Sequence, residues 1–129
     1  MAIFKSPEVI VNKSAEDLFN KIGDLNNLKE IMPPSIKNFK STKTSCSFQM
    51  EGMPEINLEL NGLVPFSKVS LTAKGSQIPF SLNCFITDKG DQCQARLEIN
   101  AELNMMMKMM VEKPLNQFLN LLASKIEKL

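Results

Sequence analysis

Cys93-Gln94-Ala95-Arg96-Leu97-Glu98-Ile99-Asn100-Ala101 alternates one small or apolar residue with one polar residue along its whole length. Successive side chains of a β-strand point to opposite faces, so this stretch reads as a strand with one buried and one wet face. The same period runs back through Ile78, Phe80, Leu82, Cys84 and Ile86, then Val69, Leu71 and Ala73. Further back it takes in Ile56, Leu58 and Leu60, and before them Cys46, Phe48 and Met50. The positions between are mostly Ser, Thr, Asn, Gln, Lys and Glu. Alternation of this kind over residues 36–101 predicts an antiparallel sheet of about six strands with one solvated face.

The turns test that reading, because a one-residue slip would carry an apolar set to the wrong face. A two-residue loop at Gly75-Ser76 sets Ala73 opposite Ile78 and Leu71 opposite Phe80. A loop at Lys89-Gly90 sets Ile86 opposite Cys93 and Cys84 opposite Ala95. A three-residue loop, Gly52-Met53-Pro54, sets Met50 opposite Ile56 and Phe48 opposite Leu58. Each keeps apolar against apolar, and a disulfide between Cys84 and Cys93 is not expected.

Upstream, residues 3–12 read as one edge strand, because Pro7 removes a ladder donor. Ser14 can cap a first helix with Asp17 in its opening turn; Leu18, Phe19 and Ile22 form its apolar face, and Gly23 ends it. Asp24 can cap a second short helix carrying Leu25, Leu28, Ile31 and Met32, closed by Pro33-Pro34. Downstream, Asn104 can cap a helix running to Leu129. Met107, Val111, Leu115, Phe118, Leu122 and Ile126 form its apolar stripe, and Pro114 is expected to kink it. The result is an α+β chain: a first strand, two short helices, about six more strands, and a long C-terminal helix, with about seven strands in all.

At 129 residues, 43% hydrophobic and 22% charged, the chain suits one domain (1–129) with its own core. Met1-Ala2-Ile3-Phe4-Lys5 lacks the pattern of a signal peptide, and no apolar run is long enough to span a bilayer. The three cysteines lack C-x-x-C spacing and histidine is absent, so neither a metal nor another cofactor is expected. Reduced, buried thiols and a cytoplasmic location fit this cysteine usage. A formal net charge of +1, scattered lysines and no Trp or Tyr argue against a nucleic-acid partner.

The opening Val9-Ile10-Val11-Asn12-Lys13-Ser14-Ala15-Glu16-Asp17-Leu18-Phe19, followed by Asp24-Leu25-Asn26-Asn27-Leu28, resembles the first strand and helix pair of the START-like (SRPBCC) superfamily. Met105-Met106-Met107-Lys108-Met109-Met110, with Lys113-Pro114-Leu115, is similar to a small, uncharacterised bacterial branch of it. The resemblance implies a helix-grip fold with an elongated cavity between the concave sheet face and the C-terminal helix. Members bind lipids, sterols, quinones or plant metabolites, cyclise polyketides, or regulate the Hsp90 chaperone. Fold alone does not choose among these.

The register places no Asp, Glu, Lys or Arg on the inward strand face. Arg96 and Glu98 point outward, where solubility is their expected role. With no histidine or tyrosine for acid–base work, an enzyme is disfavoured and no catalytic residue is assigned. The inward thiols read as small core residues. The candidate cavity lining is Leu28, Ile31 and Met32; Phe48, Met50, Leu58, Leu71, Phe80, Leu82, Cys84, Leu97 and Ile99; and Met107, Met110, Val111, Phe118 and Leu122. Asn104, Lys108, Asn116 and Gln117 are the candidate polar groups. The Met105–Met110 segment is expected either to pack loosely under the half-helix or to border a cavity entrance with Leu28, Ile31 and Met32, Pro114 serving as hinge. The leading expectation is a non-enzymatic binder of a small hydrophobic molecule, lipid- or quinone-like. The alternative is an interaction or regulatory module whose lumen is filled by Phe48, Phe80 and Phe118, with Met105, Met106 and Met109 as a dimer or partner patch. A cyclase- or hydrolase-like enzyme comes third.

Overall fold

Pro7 divides the N-terminal segment more sharply than one edge strand allows. In the computed structural model, which describes residues 2–32, 34, 36–50, 55–73 and 80–129, it separates β1 (Ala2–Lys5) from β2 (Val9–Val11). Both pair antiparallel with the last strand, in registers that differ by one residue. Ser6 holds the break together. Its N–H donates to the Leu97 carbonyl (2.9 Å), and its hydroxyl accepts from the Leu97 N–H (2.9 Å) while donating to the Pro7 carbonyl (2.9 Å). The added residue switches parity, so Ala2, Phe4 and Ser6 are buried before the break and Val11 after it.

The remaining strands are β3 (Lys37–Ser41), β4 (Ser45–Gln49), β5 (Ile56–Val64), β6 (Lys68–Ala73), β7 (Phe80–Asp88) and β8 (Cys93–Ala101). They complete one eight-stranded antiparallel sheet in the order β1-β8-β7-β6-β5-β4-β3, with β2 also on β8. The count exceeds the expected seven because Pro7 makes two strands of one. This is the curved sheet and long C-terminal helix of a helix-grip fold.

Among the described residues the inward faces of β4 to β8 agree with the alternation, yet the expected cross-strand partners found there are displaced by two residues. Leu71 lies opposite Leu82 rather than Phe80, Ile86 opposite Ala95 rather than Cys93, and Phe48 opposite Ile56 rather than Leu58. A two-residue slip preserves the face, so alternation cannot detect it; loop length decides. Between β7 and β8 the loop has four residues, 89–92. Lys89 N–H donates to the Gln92 carbonyl (3.0 Å), Gly90 takes φ +86°, and its N–H donates to Asp88 Oδ1 (2.8 Å). The expected loops at Gly52-Met53-Pro54 and Gly75-Ser76 lie outside the described residues.

The helix ends follow their caps. Ser14 Oγ accepts from Asp17 N–H (3.1 Å) to start α1 (Ala15–Ile22), and Gly23 N–H returns to the Phe19 carbonyl (2.9 Å). Asp24 Oδ1 accepts from Asn26 N–H (3.0 Å) at the head of Leu25–Glu30, which is a 3-10 turn rather than an α-helix. Asn104 Oδ1 accepts from Met107 N–H (2.8 Å) to start α2 (Met105–Glu127), one continuous helix with Pro114 inside it. α2 packs over β1, β2 and β8, while α1 packs on β6 and β7. The core lies between.

Candidate functional site

Among the described residues, apolar side chains fill much of the space between the concave sheet face and α2. One end is closed by aromatic stacking: Phe48 of β4 lies 5.8 Å from Phe118 of α2 and 6.4 Å from Phe39 of β3, both with rings inclined by 23°. The other end keeps a partly open apolar cavity of about 30 Å³. Its sheet wall is Val69, Leu71, Leu82, Cys84 and Leu97. Opposite stand Ile22 of α1, Leu28 of the 3-10 turn, Ile31 and Met32 just after it, and Leu122 and Ile126 of α2.

The wall that carries Leu28 is tied at its start. Asn27 Nδ2 donates to the Lys21 carbonyl (2.8 Å), Leu25 N–H to the Lys43 carbonyl (3.0 Å), and Lys21 pairs with Glu30 at 2.6 Å. Ser41 Oγ adds a bond to Asn26 Oδ1 (2.9 Å). Met32, beyond the last of these ties, is only half-buried.

Among the described residues no charged side chain lines the cavity. Burial pushes the Cys84 thiol up to about 12, with Cys93 adding a smaller upward push, and burial pushes Cys46 up to about 11. Cys93 is raised as well, by burial and then by Asp88. These thiols stay neutral at physiological pH, which removes the thiolate a nucleophile needs. Cys84 lies opposite Leu97 and Cys93 opposite Asp88, and all three cysteines are free and buried. Among the described residues no group of three His, Cys, Asp or Glu could hold a metal ion.

Of the lining residues expected from sequence, Leu28, Ile31, Met32, Leu71, Leu82, Cys84, Leu97 and Leu122 border the cavity. Phe48, Met50, Leu58, Ile99 and Phe118 are buried in the surrounding core, and Phe80 is half-buried. Ile22, Val69 and Ile126 complete the wall; all three lay on apolar faces that the sequence already showed. The methionine-rich turns are placed differently from expectation. The cavity sits under the second half of α2, so Met105–Met110 does not border it. Met110 is 70% exposed rather than inward, while Met107 and Val111 are half-buried. The four candidate polar groups do not reach the cavity either. Asn104 caps α2, Lys108 and Gln117 are exposed, and Asn116 is half-buried.

The outer face holds more structure than a solvated surface requires. Arg96 Nη1 pairs with Glu98 Oε2 at 2.8 Å, and the Glu98 side chain is only 14% exposed. The guanidinium lies 4.6 Å from the Phe85 ring centroid, with Lys68 Nζ 5.4 Å from the same centroid. Ser70 Oγ donates to buried Asn83 Oδ1 (2.6 Å), and Gln94 Nε2 to Glu8 Oε2. Arg96 and Glu98 therefore organise the convex surface as well as solubilising it. The sequence signal for this was Phe85, an aromatic at an outward position. A second, open hollow of about 400 Å³ beside β3, β4 and β5 carries Ser41, Thr42 and Ser45. Those hydroxyls are engaged locally: Thr42 Oγ1 meets Ser45 Oγ at 2.8 Å, and Ser41 is bound to Asn26.

No protein-family model matches the chain, and no curated protein matches its sequence. Solved structures do match its fold. A START superfamily protein from Mycobacterium smegmatis is 14% identical with a TM-score of 0.69, covering 98% of this chain and 97% of its own. A conserved protein from Geobacillus kaustophilus is 15% identical with a TM-score of 0.67, covering 94% and 90%. Norcoclaurine synthase from Thalictrum flavum, in complex with dopamine and hydroxybenzaldehyde, is 12% identical with a TM-score of 0.71, covering 98% and 84%. The chain thus has a START-like fold. Among the described residues no helix is long and apolar enough to cross a membrane.

Proposed function

We propose that this START-like chain is a non-enzymatic binding protein for a small apolar molecule, lipid- or quinone-like in chemistry, taken up between the sheet and the second half of α2. The observation that carries this reading is the apolar cavity between sheet and helix, whose described lining residues include no charged group. Apolar voids stay dry, and filling one recovers packing lost around it. The neighbours add a precedent for small molecules in this fold, since the norcoclaurine synthase structure holds dopamine and hydroxybenzaldehyde.

The present cavity of about 30 Å³ is far below the roughly 300–1,000 Å³ of ordinary ligand pockets. Binding therefore requires widening, and Met32 is the wall residue best suited to move. Its thioether chain is flexible, it is half-buried, and it lies beyond the hydrogen bonds that anchor the 3-10 turn. A cytoplasmic location belongs with this reading, because three unpaired thiols suit a reducing compartment.

Native mass spectrometry of gently purified protein, followed by extraction, tests it. A stoichiometric apolar adduct that is lost on denaturation, and lost again in Leu82→Phe with the fold retained, is the expected result. A clean mass together with no binding to a panel of lipids and quinones overturns it. The second reading then stands: an interaction or regulatory module with a filled core, favoured by the Phe39–Phe48–Phe118 stack.

A further inference from the structure

The two edges of the sheet are not alike. β3 forms one, where Asn38 takes φ +56°, the register breaks between Lys37 and Lys40, and both lysines repel a like partner. β1 and β2 form the other. Among the described residues no strand pairs with their outer side.

The backbone of this second edge can be followed residue by residue. In an antiparallel ladder the N–H and C=O of one residue point to the same side, and the side alternates along the strand. Ser6 N–H donates to the Leu97 carbonyl, so Phe4 and Ala2 also face β8, while Lys5 and Ile3 face away from the sheet. Leu97 turns both of its groups towards Ser6, so Ala95 and Cys93 turn theirs towards β2. Val9 and Val11 answer them, which leaves Glu8 and Ile10 facing the edge. Pro7 does not interrupt this series. Lys5 lies opposite Glu98 and Val9 opposite Ala95, so Pro7 joins Ser6 against Leu97, and the donor it lacks would have pointed to β8. The edge therefore presents backbone donors and acceptors at Ile3, Lys5, Glu8 and Ile10.

Those four residues also share a face. All are exposed, Ile3 by 53% and Ile10 by 49%, whereas Ala2, Phe4, Ser6 and Val11 are buried. Laid antiparallel on a second copy about the Ser6–Pro7 bond, the edge meets itself. Ile3 falls opposite the second copy's Ile10, and Lys5 opposite its Glu8. Each pair joins residues whose backbone groups face the edge and whose side chains lie on the outer face. An uninterrupted strand fails in this register, because outward side chains would meet inward ones; the added residue at Pro7 restores the match.

We infer that this chain forms a two-fold dimer by continuing its sheet through β1 and β2 of a second copy in that register. Every contact occurs twice, as a two-fold axis requires. The Ile3–Ile10 pairs place apolar against apolar, and the Lys5–Glu8 pairs place opposite charges across the joint. An extended segment of another protein could meet the same backbone groups, but this edge also matches its own side chains.

Sedimentation equilibrium and amide exchange over a concentration series test the proposal. The wild-type chain should pass from monomer to dimer. As it does, exchange at the N–H groups of Ile3, Lys5, Glu8 and Ile10 should slow, while Phe4 and Val9 change little. Ile10→Pro deletes a donor that faces the edge and spares the β8 ladder, so it should remain monomeric with an unchanged far-UV spectrum. Lys5→Glu and Glu8→Lys should each weaken self-association by roughly tenfold, because each sets like charges together twice. Mixed together, these two variants should form a heterodimer about as tight as the wild type, since every charge is again paired. A wild-type monomer at all concentrations overturns the inference, as does a dimer that survives Ile10→Pro or leaves the four edge amides exchanging as in the monomer. Failure of the mixed variants to recover affinity overturns the register and the dimer built on it.

Discussion

The two halves of α2 have similar apolar content and opposite surroundings. After Pro114, Leu115, Phe118, Leu119, Leu122, Ala123 and Ile126 are all buried against the sheet. Before it, four of the methionines stand in solvent while Met107 and Val111 are half-buried. The difference is angular. Spacings of three and four residues keep a side chain on the core stripe, whereas positions 105, 106, 109 and 110 turn away from it. Apolar composition therefore says how much surface a helix can bury, and position on the helix says where. The first half leaves its surface uncovered; the second packs against the sheet.

The contrast can be broken most directly at Phe118. Phe118→Ala removes a ring stacked on Phe48 and should cost about 3–5 kcal/mol in chemical denaturation. A loss below about 1 kcal/mol would mean that the second half is not the gripped one. Leu122→Ala should cost somewhat less, about 2–4 kcal/mol, and enlarge a cavity that already exists. Xenon or benzene should then stabilise the variant more than the wild type, as thermal shifts would reveal.

Alkaline pH probes the same buried side without a mutation. Cys84 and Cys46 titrate at about 12 and 11 in the folded chain against 9.0 for an ordinary thiol. Below pH 9 each is neutral in both states and the linkage term is absent. Above it the unfolded chain ionises first, so stability falls as pH rises, by about 1.4 kcal/mol per unit for each thiol. Urea melts at pH 8 and pH 10 should show this loss, and Cys84→Ala should remove part of it. The smallest effect belongs to the first half: Met109→Ala at low protein concentration should change stability by less than about 0.5 kcal/mol. If the same variant becomes destabilising as concentration rises, the exposed face is covered by a second copy.

Much of this architecture was legible because it depends on local chemistry. Ser14, Asp24 and Asn104 announce helix starts through side-chain oxygens that serve nearby N–H groups, and each does so. The apolar and polar parity of β4 to β8 is legible for the same reason. Pro7 was read as an edge signal, but the Ser6 hydroxyl that replaces a missing ladder partner at Leu97 depends on a strand 91 residues away in sequence. Eight of the seventeen expected lining residues border the cavity, since inward-facing is necessary for lining but not sufficient. The rest are taken up by core packing or, for Met110, by solvent.

By itself, then, the sequence determined the helix caps and the face on which the residues of β4 to β8 lie, because these follow from periodicity and from bonds spanning a few residues. Only the tertiary structure decided the cross-strand partners, since a two-residue slip leaves every face unchanged. It alone decided that, among the described residues, a cavity of about 30 Å³ borders the second half of α2 while stacked rings fill the space beside Phe118. It alone left the first turns of α2 uncovered. Those outcomes depend on how side chains from distant segments fill a shared volume, and no local pattern records that volume.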